Sequence, residues 1–369
     1  MPKLLIAATI PETIRAFLLP YADHFRGEGW TVDAMSNGAA SCDGIREHFD
    51  SLFDVNWRRN PLDLANFSEM TVVRRILSKG EYDIVHVHTP VAAFVTRAAL
   101  RNRRADGGVR VVYTAHGFHF HQGGKPSSNL LYRTLERMAG RWTDRVVVIN
   151  AEDFDAAKKY RIANDESLRY MPGIGLDFSK YSAAPEDGAA GVRAELGLAD
   201  DDVLYTMAAE FIPRKRHQDA IDALARTKRG NIHLAFAGTG PLLAEMQNLA
   251  DGLNLAKRVH FLGFRNDIPS LISASRATVL TSEREGLARF LMESACLGVP
   301  IIGADARGIR DVVLPDRGIL YPIGDPIALR DAMLRAAADP LSPAKPDPAW
   351  RIENLIAMHQ ELYGELGAK

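Results

Sequence analysis

A repeated alternation limits this chain most: short uninterrupted apolar runs, each followed by a stretch of helical spacing. Residues 4–9, 31–35, 51–55, 83–87, 109–114, 145–149 and 168–171 read as strands. Helical patterns fill 11–26, 61–79, 90 to about 106, 129–141 and 151–160. A strand that is apolar on both faces must be covered on both faces, which is the state of a parallel sheet between helices. The alternation pauses at Pro172-Gly173-Ile174-Gly175, a domain joint, and at a polar Ala- and Gly-rich surface loop over 182–191. It restarts with strands at 203–208, 233–237, 259–262, 277–281, 300–303 and 318–321. A last helical pattern, 348–366, has no strand after it. The expected fold is α/β: two doubly wound Rossmann-like domains facing a cleft, with a C-terminal helix packing back on the first. The boundaries fall at 1–172, 173–345 and 346–369. A chain of 369 residues is also too long for one ordinary core.

The totals exclude some functions. A net charge of −1 argues against nucleic-acid binding by bulk charge. Cys42 and Cys296 match no metal or redox spacing and read as buried packing residues in a reducing cytosol. The apolar start, Leu4 to Ile10, is shorter than a signal peptide's usual span and reads as a first strand. No run approaches the roughly 20 apolar residues that cross a bilayer.

Polar clusters fall just after predicted strands, where an α/β ligand site lies. In Ser282-Glu283-Arg284-Glu285-Gly286-Leu287, Glu285 and Gly286 occupy the loop where a strand hands over to a helix. Free helix amides there suit a phosphate. Glu293 follows about two turns later, so a sugar nucleotide fits between the carboxylates. The plainer reading is a strand–loop–helix with two solvated glutamates. Arg214-Lys215-Arg216 places three cations at a helix start, against the dipole. A bound diphosphate would remove that conflict; a solvated basic turn is the alternative. Gly238 and Gly240 let backbone approach a ligand, or serve a turn. Phe264 or Arg265 could cover a flat base, with Asp267 either assisting or capping a helix. His116, at a strand end beside Gly117, is the histidine best placed to reach a ligand. His86 and His88 share one strand face and, lacking a third ligand at a convincing spacing, read as packing and hydrogen-bonding groups.

Together these residues resemble a family 4 retaining glycosyltransferase of the GT-B fold. Glu285 and Glu293, Gly238-Thr239-Gly240-Pro241 and the basic turn carry the resemblance over nearly the whole chain. Ile84-Val85-His86-Val87-His88-Thr89-Pro90 and Thr114-Ala115-His116-Gly117-Phe118 narrow it. They are similar to the bacterial branch that builds capsule, exopolysaccharide and other glycans on a polyprenyl-diphosphate carrier. The resemblance implies a UDP-sugar donor, a polyprenyl-diphosphate-linked sugar acceptor, no metal and no other cofactor. It implies that Lys215 and Arg214 bind the donor diphosphate. Glu285 with the Gly286 and Leu287 amides would hold hexose and phosphate, and Glu293 the ribose. Gly238, Gly240 and Arg265 would surround the nucleotide, and His116 would contact the hexose near its reacting carbon. One departure stands out: many members carry Gly-Arg-Leu where this chain has Ala209-Glu210-Phe211. Arg214 or Arg216 must then replace the missing cation. The glycine-rich loop of many members is also replaced, by Ala8-Thr9-Ile10-Pro11-Glu12.

The implied reaction is transfer of a hexose or N-acetylhexosamine with retention, in the cytoplasm. Basic and Trp residues in the first half suggest peripheral contact with an anionic membrane, or an ordinary solvated face. They are Trp57, Arg58 and Arg59; Arg97, Arg101, Arg103 and Arg104; and Arg133, Arg137, Arg141 and Trp142. Two rivals stay open: a nucleotide-sugar 2-epimerase of the same architecture, and a catalytically silent sugar-nucleotide-binding subunit.

Overall fold

The structure, a computed structural model, describes residues 1–58, 63–102, 108–181 and 187–368. The chain divides into two compact units, Met1–Gly175 with Ile352–Lys369, and Leu176–Arg351.

The first unit opens with β1 (Lys3–Ala7), α1 (Pro11–Phe17), α2 (Leu19–Gly27), β2 (Thr31–Ser36) and β3 (Leu52–Asp54). It continues with α3 (Ala65–Gly80), β4 (Ile84–His88), α4 (Pro90–Leu100) and β5 (Arg110–Ala115). Then come α5 (Pro126–Gly140), β6 (Arg145–Val148), α6 (Ala151–Lys159) and β7 (Leu168–Tyr170). Its seven strands run in the order β3-β2-β1-β4-β5-β6-β7, and every pairing is parallel. β4 is central and buried along its length, which explains its apolar Ile84-Val85-x-Val87 frame. Pro90 and Pro126 open α4 and α5, where a missing N–H costs nothing. Asn150 caps α6, its side chain accepting from the Asp153 amide at 2.8 Å.

The second unit holds α7 (Gly188–Glu195), β8 (Val203–Ala208), α8 (His217–Arg226), β9 (Ile232–Ala237) and α9 (Leu243–Gly252). β10 (Val259–Phe261), α10 (Ile268–Ser273), β11 (Ala277–Leu280) and α11 (Arg289–Cys296) follow. β12 (Ile301–Ala304), β13 (Gly318–Tyr321) and α12 (Pro326–Ala338) complete it. Its six strands run β10-β9-β8-β11-β12-β13, again all parallel. The order reverses between β8 and β11, so the loops after those strands flank a switch point.

The chain then returns to the first unit as α13 (Ile352–Glu365). Leu355, Leu362 and Tyr363 of α13 pack with Leu4, Ile6 and Phe25. The two crossings lie side by side: a β-carbon on Gly175 would sit 2.6 Å from Ile352. They fall at 175/176 and 351/352, not at 172/173 and 345/346, because Trp350 still belongs to the second core and its carbonyl accepts from the Leu176 amide.

Other expectations need correction. The first helix breaks at Leu18, since Pro20 cannot donate back along a continuous helix. The polar patch after the joint contains α7 rather than only loop, because Val192 seats against Leu204, Ala235 and Leu271. Asp267 stands at the start of α10 but its side chain caps nothing. Both cysteines are half-buried rather than buried. The basic-aromatic patches do not hold as drawn. Arg97 is fully enclosed, paired with Glu136 at 3.0 Å and stacked 4.0 Å over Tyr113, and Trp57 is also core. Arg59, Arg103 and Arg104 lie outside the described residues. No described helix is long and apolar enough to cross a membrane.

Candidate functional site

The loop between β11 and α11 is held from two sides. The Glu285 amide donates to the Arg307 carbonyl at 2.9 Å, and the Ala288 amide to that of Gly308 at 3.0 Å. Gly308 has φ +72°, and a β-carbon there would fall 2.6 Å from the Glu285 and Gly286 carbonyls. Only glycine permits this approach. No partner within the described residues accepts from the Leu287 amide. The helix itself begins at Arg289, two residues beyond Leu287, and buries Phe290, Leu291 and Ser294.

The basic turn is a short 3-10 segment, Pro213–Lys215, knitted to the same loop. The Thr281 hydroxyl donates to the Lys215 carbonyl at 2.6 Å, and the Glu283 amide to that of Arg214 at 2.9 Å. The three cations have different fates. Lys215 Nζ donates to Glu285 Oε1 at 2.5 Å, with both side chains largely buried. Arg214 Nη1 lies 3.8 Å from Glu285 Oε2 and is 40% exposed. Arg216 is committed elsewhere, to Asp219 at 2.6 and 3.0 Å and Glu283 at 3.2 Å. Asp219 in the first turn of α8 thus answers the dipole conflict for Arg216, without a ligand.

Two further cations join this group, and sequence reasoning did not select them. Arg284 has its pKa lowered by burial first, then by Arg307 and Arg214. Arg307 is buried on the loop after β12. Arg214 and Lys215 pair with Glu285, Arg284 adjoins it and Arg307 stands beside Arg284, so four cations gather here from three loops. The adjacency of Arg284 to Glu285 was visible in the sequence; the return of Arg307 to them was not. Such a concentration of positive charge in a part-buried loop can receive a diphosphate.

Glu293 is buried on α11, its Oε1 accepting from the Tyr181 hydroxyl at 2.8 Å and Arg289 Nε at 2.9 Å. Gly238 and Gly240 have φ of +150° and +149°. Their absent β-carbons would strike backbone of Ala209 and Phe211, so the close approach they permit is to the loop after β8. The Arg265 guanidinium is bound to Glu195 at 2.6 and 3.0 Å and to Asp267 at 2.7 Å, while neighbouring Phe264 is 75% exposed.

In the first unit, His116 directly follows β5 and is half-buried. Its Nε2 lies 3.0 Å from His88 Nδ1 at the end of β4. Burial, with His359 nearby, pushes its pKa down to about 4, so the ring is neutral at pH 7. His86 and His88 are also held well below the ordinary histidine value, chiefly by burial.

Two all-parallel doubly wound units in one chain define the GT-B class of fold. The chain superposes with a TM-score of 0.80 on the crystal structure of Anabaena Alr3699/HepE in complex with UDP and glucose, at 20% identity and covering 99% of this chain and 100% of that one. It reaches the same TM-score on sucrose-phosphate synthase from Thermosynechococcus elongatus, at 18% identity and 100% of both chains.

Sequence relatives identify the family. The chain is 33% identical over 329 residues to the putative glycosyltransferase EpsD of Bacillus subtilis, covering 88% of this chain and 85% of that protein. It is 28% identical over 287 residues to the UDP-Gal:alpha-D-GlcNAc-diphosphoundecaprenol alpha-1,3-galactosyltransferase of Escherichia coli, covering 76% and 73%. Residues 17–172 match the family described as Glycosyltransferase Family 4, and 191–351 that described as Glycosyl transferases group 1. The chain belongs to the glycosyltransferases.

Proposed function

We propose that the protein transfers a hexose or N-acetylhexosamine from a UDP-sugar, with retention, to a sugar carried on a polyprenyl diphosphate. The observation that carries this reading is the gathering of four cations, Arg214, Lys215, Arg284 and Arg307, at the loop that bears Glu285. The named donor and acceptor of the Escherichia coli relative are of this kind.

In this reading the donor diphosphate lies against Lys215 and Arg214, with the Leu287 amide assisting. Glu285 holds Lys215 extended ahead of the diphosphate and accepts hexose hydroxyls. Glu293, buttressed by Tyr181 and Arg289, receives the ribose. Gly238 and Gly240 shape the nucleotide's backbone wall, and Phe264 with Arg265 flanks the base. His116 contacts the hexose near the reacting carbon. As the donor bond breaks, negative charge grows on the diphosphate, and preorganised cations stabilise it in place. The leaving phosphate takes the acceptor hydroxyl's proton on the same face, so no separate base is assigned. Arg214 replaces the cation missing at Glu210, because Arg216 is already committed to Asp219 and Glu283.

Peripheral membrane contact is part of the proposal, on a revised surface. Leu64 and Phe67 at the start of α3, Leu130 and Met138 on α5, and Arg58, Arg101, Arg137 and Arg141 are all exposed, and α3 and α5 both pack against α4. Flotation with anionic vesicles tests it, and no binding at low salt sinks it.

The decisive assay is a panel of UDP-sugars incubated with lipid-linked monosaccharides and read by mass spectrometry and anomer-specific NMR. Lys215→Ala and Glu285→Gln should each lower turnover by about a hundredfold or more while the fold persists. Wild-type turnover in Lys215→Ala, an inverted product, or sugar epimerised without acceptor would each overturn the reading.

A further inference from the structure

We propose that His88 is the positioning residue of His116: it fixes where that ring points and which of its nitrogens carries the proton. This rests on the reading that His116 meets the donor sugar, and the experiment below separates the two.

In β4, residues 86 and 88 leave the strand on one face, a single pleat apart. Their rings stack with centroids 4.2 Å apart. A buried imidazole needs partners for its nitrogens. His86 has both: the Tyr363 hydroxyl lies 2.6 Å from Nδ1 and the Thr114 hydroxyl 2.7 Å from Nε2. Its ring is therefore clamped between α13 and β5. His88, itself buried, lies flat on that clamped ring and reaches His116 Nε2 through its own Nδ1.

The backbone at His88 is pinned as well. Thr89 follows it at φ 63° and ψ 141°, a region that a β-branched residue rarely enters. The Thr89 hydroxyl accepts from the Thr9 amide at 2.8 Å and lies 2.8 Å from the Thr9 hydroxyl, tying this corner to the loop after β1. Among the described residues no group of three His, Cys, Asp or Glu could hold a metal ion.

The consequence is chemical. Two neutral imidazoles share one proton in the His88–His116 bond. If His88 donates it, His116 keeps its own proton on Nδ1 and offers a donor there. If His88 accepts, His116 Nδ1 is bare and offers an acceptor. Nδ1 of His116 has no protein partner among the described residues. A sugar ring oxygen can meet only the donor form, and a hydroxyl can meet either. His88 thus sets the polarity that a substrate encounters at His116.

The test uses the full chain labelled with ¹⁵N-histidine, with His116→Gln to assign the signals and UDP-glucose and UDP-galactose as probes. The nitrogen shifts of His116 should report a single tautomer in the natural protein. His88→Asn keeps an amide atom near the Nδ1 position and should preserve that tautomer and most of kcat. His88→Gln places its amide near Nε2 instead, and His88→Ala removes the bond. Both should give a tautomer mixture and lower kcat about ten-fold, with KM for the donor little changed. Equal losses in the Asn and Gln variants would indicate packing alone and overturn the proposal. So would an unchanged His116 tautomer in folded His88→Gln or His88→Ala. A shifted tautomer at undiminished kcat would support the coupling of the two rings and instead overturn the assigned contact of His116 with the sugar.

Discussion

Mild acid should unfold the first unit before the second. The perturbation is a change from pH 7.5 to 5.5. His86, His88, His116 and His359 are all lowered in the fold, with burial the largest cause for each, and His116 and His359 fall to about 4. Unfolded, each titrates near 6.5. Between pH 4 and 6.5 the unfolded chain therefore binds more protons than the native one, so stability falls as pH falls through that window. A histidine kept neutral at pH 5.5 loses roughly 1–2 kcal/mol relative to its unfolded state, one pKa unit below the free value. Four of them together come to about 5 kcal/mol, comparable to the ~5–15 kcal/mol that holds a whole domain. Asp33, raised by burial, works with the opposite sign but nearer the carboxylate range. In the second unit only His217 falls as far, to about 4, through burial and then Lys215, while His233 and His260 shift less. For a unit of this size the loss corresponds to a Tm drop of about 10–20 °C. Calorimetry at pH 7.5, 6.5 and 5.5 should resolve the two transitions, and His359→Leu should flatten the slope of the first. A first-unit transition that moves by less than about 5 °C would refute the assignment of neutral native histidines.

Three other outcomes follow from the same geometry. Gly308→Ala should displace the Glu285 loop, since its β-carbon would meet two carbonyls at 2.6 Å; UDP affinity measured by calorimetry should fall at least about ten-fold. Tyr363→Phe removes the hydroxyl that His86 Nδ1 meets and should cost about 1–3 kcal/mol in urea unfolding of the first unit. On the proposed reading, in which Arg214, Lys215, Arg284 and Arg307 would supply positive charge to the leaving diphosphate, turnover should persist in excess chelator; abolition restored by a divalent ion would refute that role.

The sheets were legible because parallel strands are apolar on both faces, and each predicted strand of both units is present within a residue or two. Glu285, Lys215 and Arg214 were legible because strand-to-helix loops and a basic turn have local signatures, and the structure brings those residues together. What escaped depends on residues distant in sequence. Arg97 looked solvated because Glu136, which neutralises it, stands 39 positions away. The alternation of His86 and His88 was plain, but the hydroxyl clamping His86 comes from 277 residues later. Arg307 carried no signal because its place beside Arg284 exists only once the loops after β11 and β12 meet. Arg216 looked equivalent to its neighbours, and only its left-handed backbone at φ 50°, with Asp219 one turn on, sets it apart.

The return of α13 to the first core makes that core discontinuous along the chain. During synthesis the second unit's six strands are complete before the ribosome has made Leu355, Leu362 or Tyr363. The earlier-translated half must therefore wait with an open apolar groove over Leu4, Ile6 and Phe25 until its final helix emerges. The second unit, contiguous from Leu176 to Arg351, has no such delay and can mature first although it is translated later.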